Sequence, residues 1–342
     1  MLCLVTGGSG FFGHLLIEKL LACGDKVRNF DQNAAEDEFE GVEFQRGDIR
    51  DREAVRQACE GVDVIYHNVA QQPLSKDPKL MRAVNLQGTH NLLSAARATG
   101  VTKIIFTSST AIFGIPKELP IRRTTPPAPC ESYGRTKVWS EQVCRRYIEQ
   151  GLDITIMRPR TILGHGRLGI FQILFEWISE GRNVPVIGRG DNLFQFIHAH
   201  DLADANILAA QRPGAQIYNI GTDRFGTMCE VLEALCQHAN TGSKVVGIPD
   251  VPVRWMLAAA GALGGSPLGT YHYMAYGKSN YFDISDAVKE LDWHPKYSNE
   301  EMMIASYDWY IENREDVLNS RGASPHKSAV KQGLLKWLNR LL

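Results

Sequence analysis

The sequence predicts an α/β protein, a doubly wound parallel sheet followed by a smaller α/β lobe. Three observations carry that expectation. Short apolar runs alternate with helix-patterned segments across residues 1–157, at the spacing of parallel crossovers. A glycine cluster (Gly7, Gly8, Gly10, Gly13) sits where the first run should become the first helix. The length of 342 residues allows two domains, at roughly 150 residues each.

In order along the chain, residues 2–5 form an apolar run that ends on the glycines, and Leu15, Leu16 and Leu20 begin a helical stripe. Residues 26–30, 42–45, 62–67 and 103–107 read as strands, and 54–59 and 85–97 as helices. Residues 114–131 contain five prolines and read as a loop. A helix is expected from 132 to 150 and a strand over 153–157. Beyond the glycine-rich stretch 164–169, residues 196–200 and 217–220 are expected to rejoin the sheet as strands. The expected division is a first domain at 1–165 with 196–221 returning to it, a lobe built from 166–195 and 222–318, and a linker with a tail helix at 319–342.

Composition removes several function classes. Lys plus Arg is 37 and Asp plus Glu is 38, a net charge of −1, which argues against a dedicated nucleic-acid binder. The seven cysteines (Cys3, Cys23, Cys59, Cys130, Cys144, Cys229, Cys236) are scattered and include no C-x-x-C. Neither a disulfide framework nor a metal site is expected, and a reducing, cytoplasmic setting follows. The opening residues read as a strand rather than a secretory leader. The uncharged stretch between Arg254 and Lys278 is broken by Gly261, Gly264, Gly265 and Pro267, so it is not expected to span a membrane.

The glycines satisfy both G-x-G-x-x-G and T-G-x-x-G-x-x-G from Thr6 to Gly13. Such a turn lets a pyrophosphate approach bare backbone at a helix N-terminus, where N–H groups and a partial positive charge meet the anion. Asp31 closes the second strand, placed to accept hydrogen bonds from a ribose diol and to repel a 2′-phosphate. Gln32 and Asn33 follow it rather than arginine, so NAD is expected over NADP. Asp48 reads either as an adenine contact or as a turn aspartate.

The fifth strand runs into Thr107-Ser108-Ser109-Thr110, and Tyr133 and Lys137 share one helix face at i and i+4. A phenol ordinarily titrates near ~10 and is a poor base at neutral pH. An ammonium one turn away, with a positive nicotinamide ring, favours the phenolate. Tyr133 can then take a proton from a substrate hydroxyl while hydride leaves the same carbon. Y-x-x-x-K alone is common and is usually a solvated lysine beside a half-buried tyrosine. Here it follows a dinucleotide turn and a hydroxyl-bearing strand end.

These motifs, with Gly47-Asp48-Ile49, His67-Asn68-Val69-Ala70, Val84-Asn85-Leu86-Gln87-Gly88-Thr89, Arg158-Pro159, Ile197–Ala203, Tyr218-Asn219-Ile220-Gly221 and Leu291–Pro295, resemble the extended short-chain dehydrogenase/reductase superfamily. The likeness is to its NAD-dependent epimerase/dehydratase branch and covers about 1–310. It implies a Rossmann domain, catalytic Ser109, Tyr133 and Lys137, and Thr110 as a substitute for the serine. It also implies NAD contacts at Gly7, Gly10, Phe11, Phe12, Gly13, Asp31, Asp48, Ile49, Val69, Ala70, Asn85, Tyr133 and Lys137. Arg158-Pro159 would line the passage to the substrate, and a homodimer would form on the Tyr133 helix and its neighbour.

Three departures bear on the substrate. Ala111 and Ile112 stand where dehydratases carry an Asp-Glu pair, which disfavours dehydration. Thr161 stands where nucleotide-sugar epimerases usually have asparagine, and Phe194-Gln195 replaces an Arg-Asp pair whose arginine clamps a diphosphate. Arg160, Arg167, Arg182, Arg189 or Lys278 are the candidates to compensate. The first reading is a nucleotide-sugar 4-epimerase working through a transient 4-keto sugar. The alternative is a 3β-hydroxysteroid or sterol type of dehydrogenase that oxidises an apolar secondary alcohol, favoured by Phe194, the apolar stretch 255–263 and the tail. A third class is a non-catalytic NAD-binding protein. In the tail, Val330, Leu334, Trp337, Leu338 and Leu341 form one stripe beside Lys327, Lys331, Lys336 and Arg340. That pattern suits either docking on protein or contact with a membrane surface.

Overall fold

A computed structural model of the chain describes all residues except 36, 38, 72–76, 167–170, 250–276 and 320–342. Seven parallel strands form its main sheet in the order β10-β6-β5-β4-β1-β2-β3. These are β1 (Leu2–Thr6), β2 (Lys26–Asp31), β3 (Glu43–Arg46), β4 (Val64–His67), β5 (Lys103–Thr107), β6 (Ile154–Pro159) and β10 (Gln216–Ile220). The order reverses between β1 and β4, both paired in parallel, with Thr6 opposite His67. Ligands of open α/β sheets bind outside the carboxyl ends at such a switch point.

The central strands β1, β4, β5 and β6 are mostly apolar because both sheet faces are covered there, whereas β2 and the edge strand β3 carry more polar residues. On one face, Cys3, Val5, Tyr66, Ile105 and Met157 pack against Leu16 and Leu20 of α1 (Phe11–Ala22) and Leu202 and Ala205 of α7 (Ala199–Gln211). On the other, Leu4, Ile65, Ile104, Phe106 and Ile156 meet α2 (Arg52–Ala58), α4 (Thr89–Thr99) and α5 (Ser132–Glu149) through Val55, Leu92, Leu93, Val143 and Cys144.

A third apolar cluster lies apart from the sheet. Phe175 and Ile178 of α6 (Phe171–Ser179), Val184 and Val186 of β8 (Val184–Ile187), and Leu232 and Leu235 of α8 (Met228–Ala239) share it with Met302, Met303 and Tyr310 of α10 (Asn299–Glu312). β8 pairs in parallel with β11 (Val245–Ile248). Capping boxes at Thr227/Glu230 and Ser298/Glu301 fix where α8 and α10 begin. The short helix α9 (Ser285–Leu291) packs its Ala287 and Leu291 into the first cluster.

Two elements differ from the sequence expectation. Residues 196–200 do not rejoin the sheet. β9 (Phe196–His198) pairs instead with β7 (Thr161–Leu163), and the helix begins at Ala199 because His198 caps it. The helix expected over 85–97 starts earlier, as α3 (Pro78–Arg82), passes through a π-helical turn at Ala83–Gly88 and continues as α4. Asp77 caps α3, and the widened turn carries Asn85, whose amide is pulled toward two other segments. Among the described residues no helix is long and apolar enough to cross a membrane. Arg167, the stretch 255–263 and the tail helix lie outside the described residues.

Candidate active site

The glycine turn joins β1 to α1 at the switch point. Gly7 has φ +73°, a left-handed backbone that favours glycine, and its N–H reaches Phe30 O at 2.9 Å. A Cβ on Gly13 would lie 2.1 Å from Gly7 O, so the helix can approach the turn only without one. Gly10 is different. A Cβ there would meet nothing nearer than Gly7 O at 3.3 Å. The fold therefore constrains Gly10 far less than Gly13. No side chain caps α1 and its first turn holds no acid, so the helix end suits a pyrophosphate.

Asp31, at the end of β2, accepts Ser9 N and Asn33 N, both at 3.3 Å. Burial pushes its carboxyl up, and the backbone donors oppose that shift. Val69 lies beside Gly7, its Cγ2 3.2 Å from where a Cβ would be, and half-buried Ala70 follows it. The bare turn and the Asp31 carboxylate at the end of β2 fit NAD.

The other expected contacts have these surroundings. Asp48 is a turn aspartate: Arg50 N bonds its Oδ1 at 2.9 Å, and the Arg50 guanidinium and Gln32 Nε2 complete its partners. The guanidinium holds its carboxyl below the usual range. Phe12 and Ile49 turn their side chains into the core, which leaves backbone as the part each can present. Asn85, 1 % exposed, donates to Gln71 O and Thr136 Oγ1 and accepts Gln71 N at 2.7 Å. It fastens the loop after β4 to α5.

The structure sorts the four hydroxyls after β5. Thr107 Oγ1 donates to Asn68 Oδ1 at 2.7 Å, and buried Ser108 donates to Glu141 Oε1 at 2.7 Å. Thr110 Oγ1 accepts Arg160 Nη1 at 2.7 Å and is buried. Ser109 is half-buried and caps a 3-10 turn (Thr110–Phe113) by accepting Ala111 N at 3.2 Å, a bond that does not use its own proton. Thr110 likewise only accepts, so neither bond uses the hydroxyl's own proton; what distinguishes the two is that Ser109 is half-buried while Thr110 is enclosed beside Arg160.

Tyr133 and Lys137 stand on the first turns of α5. Glu131 caps that helix with both carboxylate oxygens, to Tyr133 N and Gly134 N at 2.6 Å each. A Cβ on Gly134 would lie 2.4 Å from Ala111 O, so this glycine lets Tyr133 come against the turn that carries Ser109. Lys137 is 3 % exposed, and its Nζ donates to Thr107 O at 2.8 Å. It lies 5.0 Å from the Phe106 ring centre and 6.0 Å from that of Tyr133. Burial pulls its ammonium down to about 8. His67, between Thr6 Oγ1 and Thr89 Oγ1, is pushed down to about 3 by burial and then by Lys137. It stays neutral and structural.

Several residues behind the site were not legible as functional. Arg158 does not line a passage. At 1 % exposure it forms a two-pronged pair with Glu141 at 2.9 and 2.7 Å and donates to Arg123 O. This pair anchors Ser108 and so braces the strand end before Ser109. Arg160 is likewise buried, Arg182 pairs with Glu180, and Arg189 and Lys278 are exposed.

A family model described as "NAD dependent epimerase/dehydratase family" matches residues 3–221, from β1 through β10. The chain belongs to that family. It is thus an NAD-dependent enzyme of the extended short-chain dehydrogenase/reductase type. It is 49% identical over 336 residues to an uncharacterized protein, y4nG, of Sinorhizobium fredii, covering 98% of this chain and 85% of that one. It is 28% identical to a 3 beta-hydroxysteroid dehydrogenase/Delta 5-->4-isomerase of Mycobacterium tuberculosis, over 96% of this chain and 95% of that one. Among solved structures, UDP-glucose 4-epimerase of Thermus thermophilus in complex with NAD superposes with a TM-score of 0.73 at 29% identity, covering 91% and 99% of the two chains.

The two glycines separate fold from cofactor. Gly13→Ala should cost ~3 kcal/mol or more, because backbone and not a side-chain tip must move. Gly10→Ala should keep the wild-type melting temperature but weaken NAD binding at least ~10-fold. Melting curves check the two stabilities, and calorimetric titration with NAD checks the binding. Undiminished NAD affinity in Gly10→Ala would show that the cofactor does not lie on this turn.

Proposed function

We propose that the protein oxidises a secondary alcohol of a nucleotide-linked sugar at C4 and reduces the resulting ketone on its other face. NAD, when bound, would supply the hydride acceptor and donor for both half-reactions. The observation that carries the reading is the close approach of α5 to the Ser109 turn: half-buried Ser109 caps that turn without using its own proton, and Gly134, next to Tyr133 and three residues before Lys137, lets α5 touch it. Ser109 donates to the substrate oxygen, and Tyr133 takes the hydroxyl proton and later returns it. Lys137 favours the phenolate and would also hold the nicotinamide ribose.

Gly7, Gly10, Gly13 and the N–H groups of Phe11 and Phe12 would hold the pyrophosphate, and Asp31 would accept the hydroxyls of the adenosine ribose. Val69 and Ala70 would line the cofactor, and Asp48 and Ile49 would meet the adenine. Residues 1–165 and 196–221 form the cofactor domain, and 166–195 with 222–318 the substrate lobe. The likeness to a UDP-glucose 4-epimerase over nearly the whole chain supports the sugar class.

Phe194 favours a second reading. It is 8 % exposed, with its ring 4.9 Å from that of Phe196 and 5.0 Å from the Arg160 guanidinium. An aromatic side chain there suits an apolar alcohol that carries no diphosphate, with net NADH formation. Incubation with NAD+ and panels of nucleotide sugars and hydroxysteroids separates the two. A 4-epimer without accumulating NADH supports the first, and stoichiometric NADH from a hydroxysteroid supports the second. Neither product from any compound would contradict both.

A further inference from the structure

Arg160 follows β6, is 1 % exposed and spreads its guanidinium over three chain segments. Nη1 donates to Thr110 Oγ1 and to Asn280 Oδ1, both at 2.7 Å, and Nε donates to Gln195 O at 2.9 Å. The Phe194 and Phe282 rings lie 5.0 and 5.2 Å from its Cζ. The segments it joins are stitched to one another. Asn280 N bonds Leu193 O at 2.8 Å, Phe282 N bonds Gln195 Oε1 at 2.8 Å, and the Phe113 and Phe282 rings meet edge to face at 5.8 Å. One side of this knot is the turn that starts at Ser109, and the other is the chain at 193–195 and 279–282.

We infer that Arg160 is a positioning residue that couples those lobe segments to the Ser109 turn, holding Thr110 so that the Ser109 hydroxyl keeps its aim at the substrate oxygen. The catalytic half of this inference rests on the hydride-transfer reading above. Arginine suits the task because its flat fork serves several acceptors in one plane while its faces stack on rings, which a lysine cannot do. Misplacing a catalytic hydroxyl by a fraction of its contact distance lowers turnover without touching cofactor affinity.

The test uses the full chain and the variants Thr110→Val, Arg160→Met and their combination, with two readouts. Amide hydrogen exchange at 109–114 should rise ~10-fold or more in both single variants. With the substrate found active, kcat should fall ~10- to 100-fold. The combined variant should be no worse than Arg160→Met, and NAD affinity should stay unchanged. Non-additivity marks a shared contact. Should Arg160→Met fail to fold, Thr110→Val alone decides. Unchanged exchange in Thr110→Val overturns the coupling whether or not turnover is detected. Raised exchange with normal kcat overturns the catalytic half, and a wild-type chain without turnover removes the reading on which that half depends.

Discussion

Tyr133→Phe should bind NAD as the wild type does and lose turnover by ~10²- to 10⁴-fold, the range of a positioned general acid–base group. The change removes one oxygen and leaves the ring, the helix and the glycine turn in place. Glu131 caps α5 through the backbone of Tyr133, not its side chain, and that contact survives. Gly134 still fits beneath Ala111 O. Any loss therefore belongs to proton transfer rather than to a moved helix. Cofactor titration and steady-state rates on the same preparation check it, and wild-type turnover would remove Tyr133 from the reaction.

Lys137→Met should move stability and activity in opposite directions. In the cofactor-free protein the buried ammonium is pulled from 10.5 down to about 8. At ~1.4 kcal/mol per unit, holding that charge at neutral pH costs up to ~3 kcal/mol. Losing the bond to Thr107 O gives back roughly 1 kcal/mol. The variant should melt a few degrees higher, ~2–4 °C, while turnover falls ~10²-fold or more.

The sign of the pH dependence follows from the same shift. Between pH 8 and 10.5 the unfolded chain holds a proton on this lysine that the folded chain has released. Wild-type stability gains from this group as pH rises through that window, and Lys137→Met should lack the gain. Melting curves across that range check it. A destabilised variant would mean that the charge is compensated within the fold.

The parts of the fold and site that depend on local pattern were readable in the sequence. The strand–glycine–helix junction is visible because the turn needs its glycines within seven residues, Gly7 to Gly13. Tyr133 and Lys137 are visible because a helix puts i and i+4 on one face. What could not be read depends on partners distant in the chain. Ser109 is separated from Thr110 by Arg160, 50 residues beyond Thr110, and Ser108 is occupied by Glu141, 33 residues on. Arg158 looks like a site residue until its pairing with Glu141 is seen, since a buried ion pair leaves no periodic signature. β9 is apolar like any sheet strand, and only its register against β7 shows that it lies outside the main sheet. The π-helical turn has no sequence signal of its own. Asn85 holds it through Gln71 and Thr136.

The chemistry assigned to Ser109, Tyr133 and Lys137 requires that the hydrogen on the reacting carbon leave as hydride while only the hydroxyl proton passes through the protein. A substrate found active, deuterated at that carbon and turned over in ordinary water, tests this most directly. The label should reappear at the same carbon of the product or on the reduced nicotinamide, and none should reach the solvent. Deuterium washing out into water would mean that the carbon is deprotonated, and this account of the site would be wrong.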